Sequence, residues 1–399
     1  MADRARLIEL AKLFTKLGFT AFGGPAVHAG MMEDEVVHRR KWIDRQHFLD
    51  LLAAVNFIPG PNSTELAIHI GLIRAGFPGL IVAGICFITP AVLIILPLAW
   101  LYTTYGQMPA VSGVLHGIGA VVIAVIAVAM VRLFKTALTS PLYIAIAVVT
   151  VVAGYFLRDV TVVPIELVLL AAAAIVGWIG ARPKRLTPSS TTLPLVAAPL
   201  GMMVRIWDLF PPLSATAAGL LTMTLAFLRI GATLFGSGYL LVPYLQAGLV
   251  DRAHLLTQQQ MQDSIAIGQV TPGPLLTTAT FAGYVIGHTK LQGGPWLGLV
   301  GAVLATVAIF SPSFVFVTLL GKFLPAIRSR PGARGALDGM NAAVVAMILL
   351  VLIKLAAASL HDAWSVSLAI VGAVLMLVRN VNSTWLIAGA GLVGWLVYR

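Results

Sequence analysis

Residues 56–61 read NFIPGP and residues 269–274 read QVTPGP, and each triplet interrupts an apolar segment. Proline lacks a backbone donor and fixes φ, and glycine weakens a helix further, so neither segment continues as helix through P-G-P. In hydrocarbon, every backbone group freed in this way is costly unless something satisfies it. A break of that kind, made twice, is the feature around which the rest of the chain is organised.

The surroundings are those of a polytopic helical membrane protein. Hydrophobic residues make up 59% of the 399 and charged residues only 10%, against about 25% charged in ordinary globular chains; the mean hydropathy is +0.95. No Asp, Glu, Lys or Arg occurs from Ala75 to Val131, a stretch far longer than the roughly 20 residues that span a bilayer. Long apolar segments without two-residue alternation argue against a transmembrane β-barrel. The start, MADRARLIELAKLF, lacks a signal-peptide profile, so the first helix is expected to be retained.

Several function classes drop out. The single cysteine, Cys86, sits in an apolar run, which leaves no disulfide and no thiolate metal site. The eight histidines form no HxxxH pair, and neither a Walker motif nor an aspartyl-phosphate signature occurs. The expectation is a protein that is not an enzyme and has no cofactor, metal site or nucleic-acid partner. Its surroundings are the lipid bilayer, and a homo-oligomer stays open. The net charge of +11 is explained by basic cytoplasmic loops; it would also suit an anionic substrate.

The chain is an internal duplication. An offset of 213 pairs Phe14 with Phe227, Gly18 with Gly231, Phe22 with Phe235, Gly23 with Gly236, Asp50 with Asp263, Thr64 with Thr277, and both P-G-P triplets. After an insertion around GHTKLQGGPW the offset becomes 222, pairing Pro90 with Pro312, Gly113 with Gly335, Gly117 with Gly339 and Arg132 with Lys354. This divides the chain into a first repeat at 1–181, a polar, proline-rich linker at 182–206, and a second repeat at 207–399.

Within the first half the pattern predicts one long helix and then a hairpin around P-G-P with arms near 47–58 and 62–75. Four apolar segments follow, near 79–101, 111–136, 140–157 and 162–180. The hairpin arms are short for separate crossings, so the pair reads as re-entrant and five full crossings remain per half. The expected fold is therefore all-α, with about ten transmembrane helices plus two P-G-P re-entrant hairpins. An odd number per half makes the repeats inverted. Loop charge supports this: YTTYGQMPA is uncharged, whereas its counterpart carries Lys322, Arg328, Arg330 and Arg334. Likewise Arg39, Arg40, Lys41 and Arg45 precede the first hairpin, and only Arg252 precedes the second. Arg4 and Arg6 at the N-terminus point the other way.

Inverted repeats with discontinuous helices are the architecture of secondary transporters, whose half-helix N-termini point at anionic groups. Each P-G-P (Pro59, Gly60, Pro61 and Pro272, Gly273, Pro274) is expected to end one short helix and start another, with proline in the first turn. The new N-termini offer N–H groups together with the hydroxyls of Ser63, Thr64, Thr277 and Thr278, an oxyanion cradle. A second pair of breaks, FGGP with Gly23 and Gly24 and FGSG with Gly236, Ser237 and Gly238, interrupts the first helix of each half. Those glycines serve either ligand approach or close helix packing.

A helix terminus contributes roughly half a charge, so two of them do not neutralise a dianion. Arg229, the only charged residue between Asp208 and Asp251, lies seven residues before Gly236 and nearly on its helix face. Its repeat partner Lys16 lies seven before Gly23. Both are candidate substrate cations, with snorkelling to an interface as the alternative. Glu65 is a candidate proton-coupling carboxylate or a helix cap. His28 is a ligand or a satisfied polar residue, Asn56 and Gln269 are amide donors before P-G-P, and Arg74 marks the hairpin end at the interface.

At these motifs the chain resembles the chromate ion transporter family in its long, two-domain form. The residues carrying the likeness are KLGFTAFGGPAVH, EVVHRRKW, FIPGPNSTELAIHIGLIRAG, FGSGYLLVPYL and GQVTPGP. The resemblance covers nearly the whole chain outside the linker. It implies a secondary transporter of the bacterial inner membrane that exports chromate and confers chromate resistance. The second half reads FGSG, without the proline and histidine of FGGPxxH, so any role of Pro25 or His28 is not duplicated. Chromate is a tetrahedral oxyanion shaped much like sulfate, suited to hydrogen-bond donors and cations. A sulfate or other oxyanion permease is the nearest alternative, and an anion channel lined by the breaks is another.

Overall fold

The computed structural model describes residues 4–22, 25–55, 58–106, 108–157, 165–181, 215–235, 238–320, 331–379 and 381–398, and every regular element among them is helical. The candidate residues Gly23, Gly24, Asn56, Gly236 and Ser237, and the linker 182–206, lie outside the described residues.

The first half comprises α1 (Arg4–Thr20), α2 (Pro25–Glu33), α3 (Arg45–Val55), α4 (Asn62–Tyr105), α5 (Pro109–Ala137), α6 (Pro141–Phe156) and α7 (Ile165–Gly180). The second comprises α8 (Ala215–Thr233), α9 (Leu241–Leu245), α10 (Gln258–Val270), α11 (Thr278–Val285), α12 (Gly294–Leu320), α13 (Pro331–Ser359), α14 (Ala363–Val378) and α15 (Ser383–Val397). Helices α2, α9 and α11 each widen into a π turn, at Asp34–Arg39, Gln246–Arg252 and Ile286–Lys290.

Among the described residues, five helices are long and apolar enough to cross a bilayer: Asn62–Tyr105, Val111–Ala137, Thr216–Thr233, Gly294–Leu319 and Pro331–Ser359. Helices α6, α7, α14 and α15 are apolar but only 15 or 16 residues long. At 1.5 Å per residue they reach about 24 Å, short of a hydrocarbon core of about 30 Å. Large apolar side chains face outward along several helices, including Ile85 and Leu93 of α4, Val303 and Val307 of α12, and Ile370 and Val374 of α14. An outward face of that kind belongs in lipid, and the chain is a multi-pass helical membrane protein.

The 44 residues of α4 are two antiparallel arms. Ala75 (φ −144°, ψ 25°) and Gly76 (φ 63°, ψ −154°) leave the helical region and reverse the chain. Ile68 consequently packs 3.1 Å from where a side chain at Gly84 would begin, and Gly71 lies against Ala83. The arm at 62–74 is about 20 Å long. The arm preceding each break is started by a side-chain cap at equivalent positions. Asp44 Oδ1 accepts from His47 N at 2.9 Å, and Thr257 forms a reciprocal capping box with Gln260.

The halves interlock. Helix α13 of the second half packs along α7 of the first, and α15 along α5. A Cβ at Gly117 would strike the Ala390 carbonyl, and one at its repeat partner Gly339 would strike the Ala173 carbonyl. Small residues are what allow such backbone-to-backbone approach. The largest apolar core runs without interruption through both halves, from Ile88 and Val121 to Phe227, Phe281 and Met347.

Candidate substrate and coupling site

The two P-G-P breaks are held by each other's half. Gly60 N donates to Leu234 O at 2.6 Å, and Gly273 N donates to Ala21 O at 2.9 Å. Leu234 and Ala21 are repeat partners, each ending the first helix of its half just ahead of a glycine break. The backbone donors most exposed by the breaks are therefore satisfied reciprocally, which offsets the cost the sequence raises. Gly60 (φ +146°) and Gly273 (φ +95°) both occupy the region that favours glycine. The flanking prolines are buried. Pro61 and Pro274 sit at the N-cap with extended backbone, one step before the first turn in which the sequence pattern places them.

Side-chain chemistry differs between the breaks. At the first, Ser63 is 4% exposed and Thr64 and Glu65 are fully buried. Among the described residues neither Glu65 oxygen has a hydrogen-bond partner, and Thr64 Oγ1 has none. Glu65 does not cap the helix, which closes that alternative. Across the break stands Ser313 of α12, also fully buried, its hydroxyl facing Glu65 without closing a bond. A Cβ at Gly60 would collide with both Ser313 Oγ and Glu65 Oε1.

At the second break the hydroxyls are spoken for. Thr277 donates to Pro274 O at 2.7 Å and Thr278 to Leu275 O at 2.8 Å. The expectation that they offer donors to an anion is corrected: bonding three residues back, within the first turn, takes up their protons. What stands open is Gln269 Nε2, buried and, among the described residues, without a partner. A Cβ at Gly273 would lie 2.9 Å from the Ala91 methyl, and Ala91 is the repeat partner of Ser313. Gly238, beyond the second glycine break, is buried with Leu275 nearest to it.

The candidate cations part company. Lys16 bonds Glu35 at 2.8 Å and its side chain is 55% exposed, so this ammonium is already neutralised. Glu35 also accepts from Arg40 at 3.1 Å; with the Lys16 bond as the larger cause, its carboxyl is held below the ordinary carboxylate range, although burial opposes the shift. Arg229 is partly buried, and among the described residues its guanidinium has no hydrogen bond or ion pair. Its charged neighbours, Arg252 and Glu166, pair with one another. Arg74 bonds Glu9 at 2.8 Å and lies over Trp42. His28 is buried, with Nε2 on the Ala21 carbonyl at 3.0 Å. That carbonyl is the acceptor of Gly273, so His28 braces the second break.

A cavity of about 390 Å³ opens between α2, α3 and the start of α4, and Asn62 and Ser63 of the first α4 turn line it with Ala29, Glu33 and Leu66. First-turn N–H groups of a helix have no intrahelical acceptor, so the cavity leads to donors. Three partners had no signal in the sequence pattern. Ser313 is matched by an alanine in the other half, Glu35 meets Lys16 only once α2 folds back, and Asp263 receives the Tyr102 hydroxyl from the other half at 2.7 Å.

Fold and site together describe a multi-pass helical membrane protein whose discontinuous helices bring buried polar groups to the contact between its two halves. The sequence profile described as "Chromate transporter" matches residues 8–178 and 221–395, and the chain belongs to that family. It is similar to the "Chromate transport protein" of Cupriavidus metallidurans, with 30% identity over 402 residues, 98% of this chain and 93% of the relative. The "Probable chromate transport protein" of Synechococcus elongatus is 30% identical over 357 residues, 89% of this chain and 86% of the relative. An uncharacterized transporter of Methanocaldococcus jannaschii is 24% identical over 395 residues, 96% and 92% of the two chains. No solved structure matches the chain.

Proposed function

We propose that this chain is a secondary transporter that carries chromate out of the cytoplasm across the bacterial inner membrane. It is built from two inverted repeats, 1–181 and 207–399, with about ten crossings and two re-entrant hairpins. The observation that carries the reading is the reciprocal pair of glycine amide bonds, Gly60 to Leu234 and Gly273 to Ala21. They hold two half-helix N-termini against the partner half, where backbone donors favour a tetrahedral oxyanion. Gln269 supplies a further donor and Arg229 the full positive charge; Lys16, tied to Glu35, contributes less. The names of the similar proteins select chromate among oxyanions of this shape.

Chromate uptake into everted membrane vesicles, with sulfate as competitor, tests this. Saturable uptake, stimulated by chromate on the far side and weakly inhibited by sulfate, is expected. Preference for sulfate makes the protein a sulfate permease, and uptake that does not saturate makes it a channel. Inversion is tested separately: cysteines replacing Gln107 and Arg330 label from opposite membrane faces, and labelling of both from one face rejects the inverted arrangement.

A further inference from the structure

The oxyanion reading gives no task to the buried pair that faces Gly60. Glu65 and Ser313 are both 0% exposed, and among the described residues neither carboxylate oxygen nor the serine hydroxyl completes a hydrogen bond. An ionised carboxylate in such a place carries a desolvation penalty of several kcal/mol, which the Ser313 hydroxyl opposes only in part. No charged side chain of the helices packed around the first α4 arm pairs with it, from α1, α2, α3, α11 or α12 among the described residues. His69, one turn along the same helix, spends Nδ1 on the Glu65 backbone carbonyl at 3.1 Å. Ile58, Ile68, Leu80 and Val317 form the apolar cluster that flanks the pair.

A purely architectural role does not account for the pair. It does not cap α4, and the second half builds the same break without it: the repeat partner of Glu65 is Thr278, satisfied by Leu275 O, and that of Ser313 is Ala91. We propose that Glu65 and Ser313, with Thr64 beside them, form the site of an exchangeable monovalent cation, a proton or a sodium ion, whose occupancy is coupled to the oxyanion. The inference deepens the transport reading above and rests on it for the coupling. Hard oxygens from a carboxylate and hydroxyls suit either cation. The site takes Glu65 and Thr64 from the first half and Ser313 from the second, so its shape changes whenever the halves move relative to one another. A cation on Glu65 also removes negative charge beside the α4 N-terminus that the oxyanion approaches, so each ion changes the affinity of the other by the same factor.

The experiment uses the whole protein in lipid nanodiscs. Infrared difference spectra, recorded without any anion, follow the carboxyl bands through a pH titration and, at fixed pH, through a sodium titration. One of the two cations is expected to shift a carboxyl band that Glu65→Gln abolishes, and Ser313→Ala is expected to move its midpoint several-fold. Glu65→Asp, which keeps the carboxylate, covers the case in which the glutamine variant does not fold. Chromate binding by calorimetry, at pH values above chromate's own protonation range, is then expected to vary about fivefold or more with that cation in wild type and not at all in Glu65→Gln. The proposal is overturned if no cation-sensitive band disappears with Glu65, or if Glu65→Gln keeps the wild-type cation dependence of chromate binding. Wild-type protein that shows the band but binds no chromate keeps the cation site and rejects the transport reading instead.

Discussion

The two P-G-P breaks share a backbone and differ in chemistry. Each glycine amide bonds the carbonyl that precedes the other half's glycine break, at 2.6 and 2.9 Å, and each glycine has positive φ. Around this common frame the first break buries a carboxylate and two hydroxyls that complete no hydrogen bond among the described residues, whereas the second satisfies its threonines locally and, among the described residues, leaves the Gln269 amide open. The same backbone frame is thus present twice, with a carboxylate and hydroxyls at one break and an amide donor at the other.

The largest effects are expected from breaking the shared frame. Gly60→Leu and Gly273→Leu each abolish chromate transport while leaving membrane insertion intact, as measured by vesicle uptake beside surface labelling. Wild-type uptake by both would reduce the triplets to simple turns. The comparison sharpens with alanine. Ala91→Gly removes the nearest atom facing Gly273 and is expected to recover part of the loss in Gly273→Ala. Ser313→Ala does not rescue Gly60→Ala, because Glu65 still occupies that space.

Next in size is Arg229→Gln. Loss of a charge-assisted hydrogen bond costs about 1.5–3 kcal/mol, so the half-saturating chromate concentration rises roughly ten- to a hundredfold, and Arg229→Lys restores part of it. Lys16→Gln does less, since Glu35 already holds that ammonium. Equal effects of the two would show that the halves share the charge evenly, and unaltered affinity in Arg229→Gln would make the arginine an interfacial anchor. Gln269→Leu removes one neutral donor, worth about 0.5–1.5 kcal/mol, and is expected to raise the same concentration about two- to tenfold.

The smallest effect concerns Glu35, whose depressed titration stabilises the ionised, folded form. That contribution is fully present above the ordinary carboxylate value of 4.5 and is lost as pH falls through the lower folded-state value. Thermal unfolding of purified protein should therefore separate wild type from Glu35→Gln near neutral pH, and the gap should narrow below about pH 4.5. A gap that does not change with pH assigns the glutamate a packing role.

Much of this was legible in the chain itself. Two offsets held in register across both halves align the breaks with one another, and P-G-P within apolar runs marks where the helices stop, because proline and glycine report backbone geometry directly. The arm near 62–75 and the segment near 79–101 are separated in the structure by the turn at Ala75 and Gly76. What stayed hidden depends on which side chains meet. Ser313 has no charge and no polar repeat partner. The pairing of Lys16 with Glu35 needs the chain to return through α2. Thr277 and Thr278 carry the right groups for an anion, and only the local turn shows that their protons are committed elsewhere.

The bond from Gly60 to Leu234 also sets a timetable for synthesis. Its acceptor lies 174 residues downstream, and at about 5–20 residues per second a ribosome needs roughly ten to thirty seconds to reach it. For that interval the nascent first half enters the membrane with a glycine amide and a buried glutamate still waiting for Leu234 and Ser313. The insertion machinery must shelter a half-helix that cannot yet close, and the order of translation becomes part of how this fold is reached.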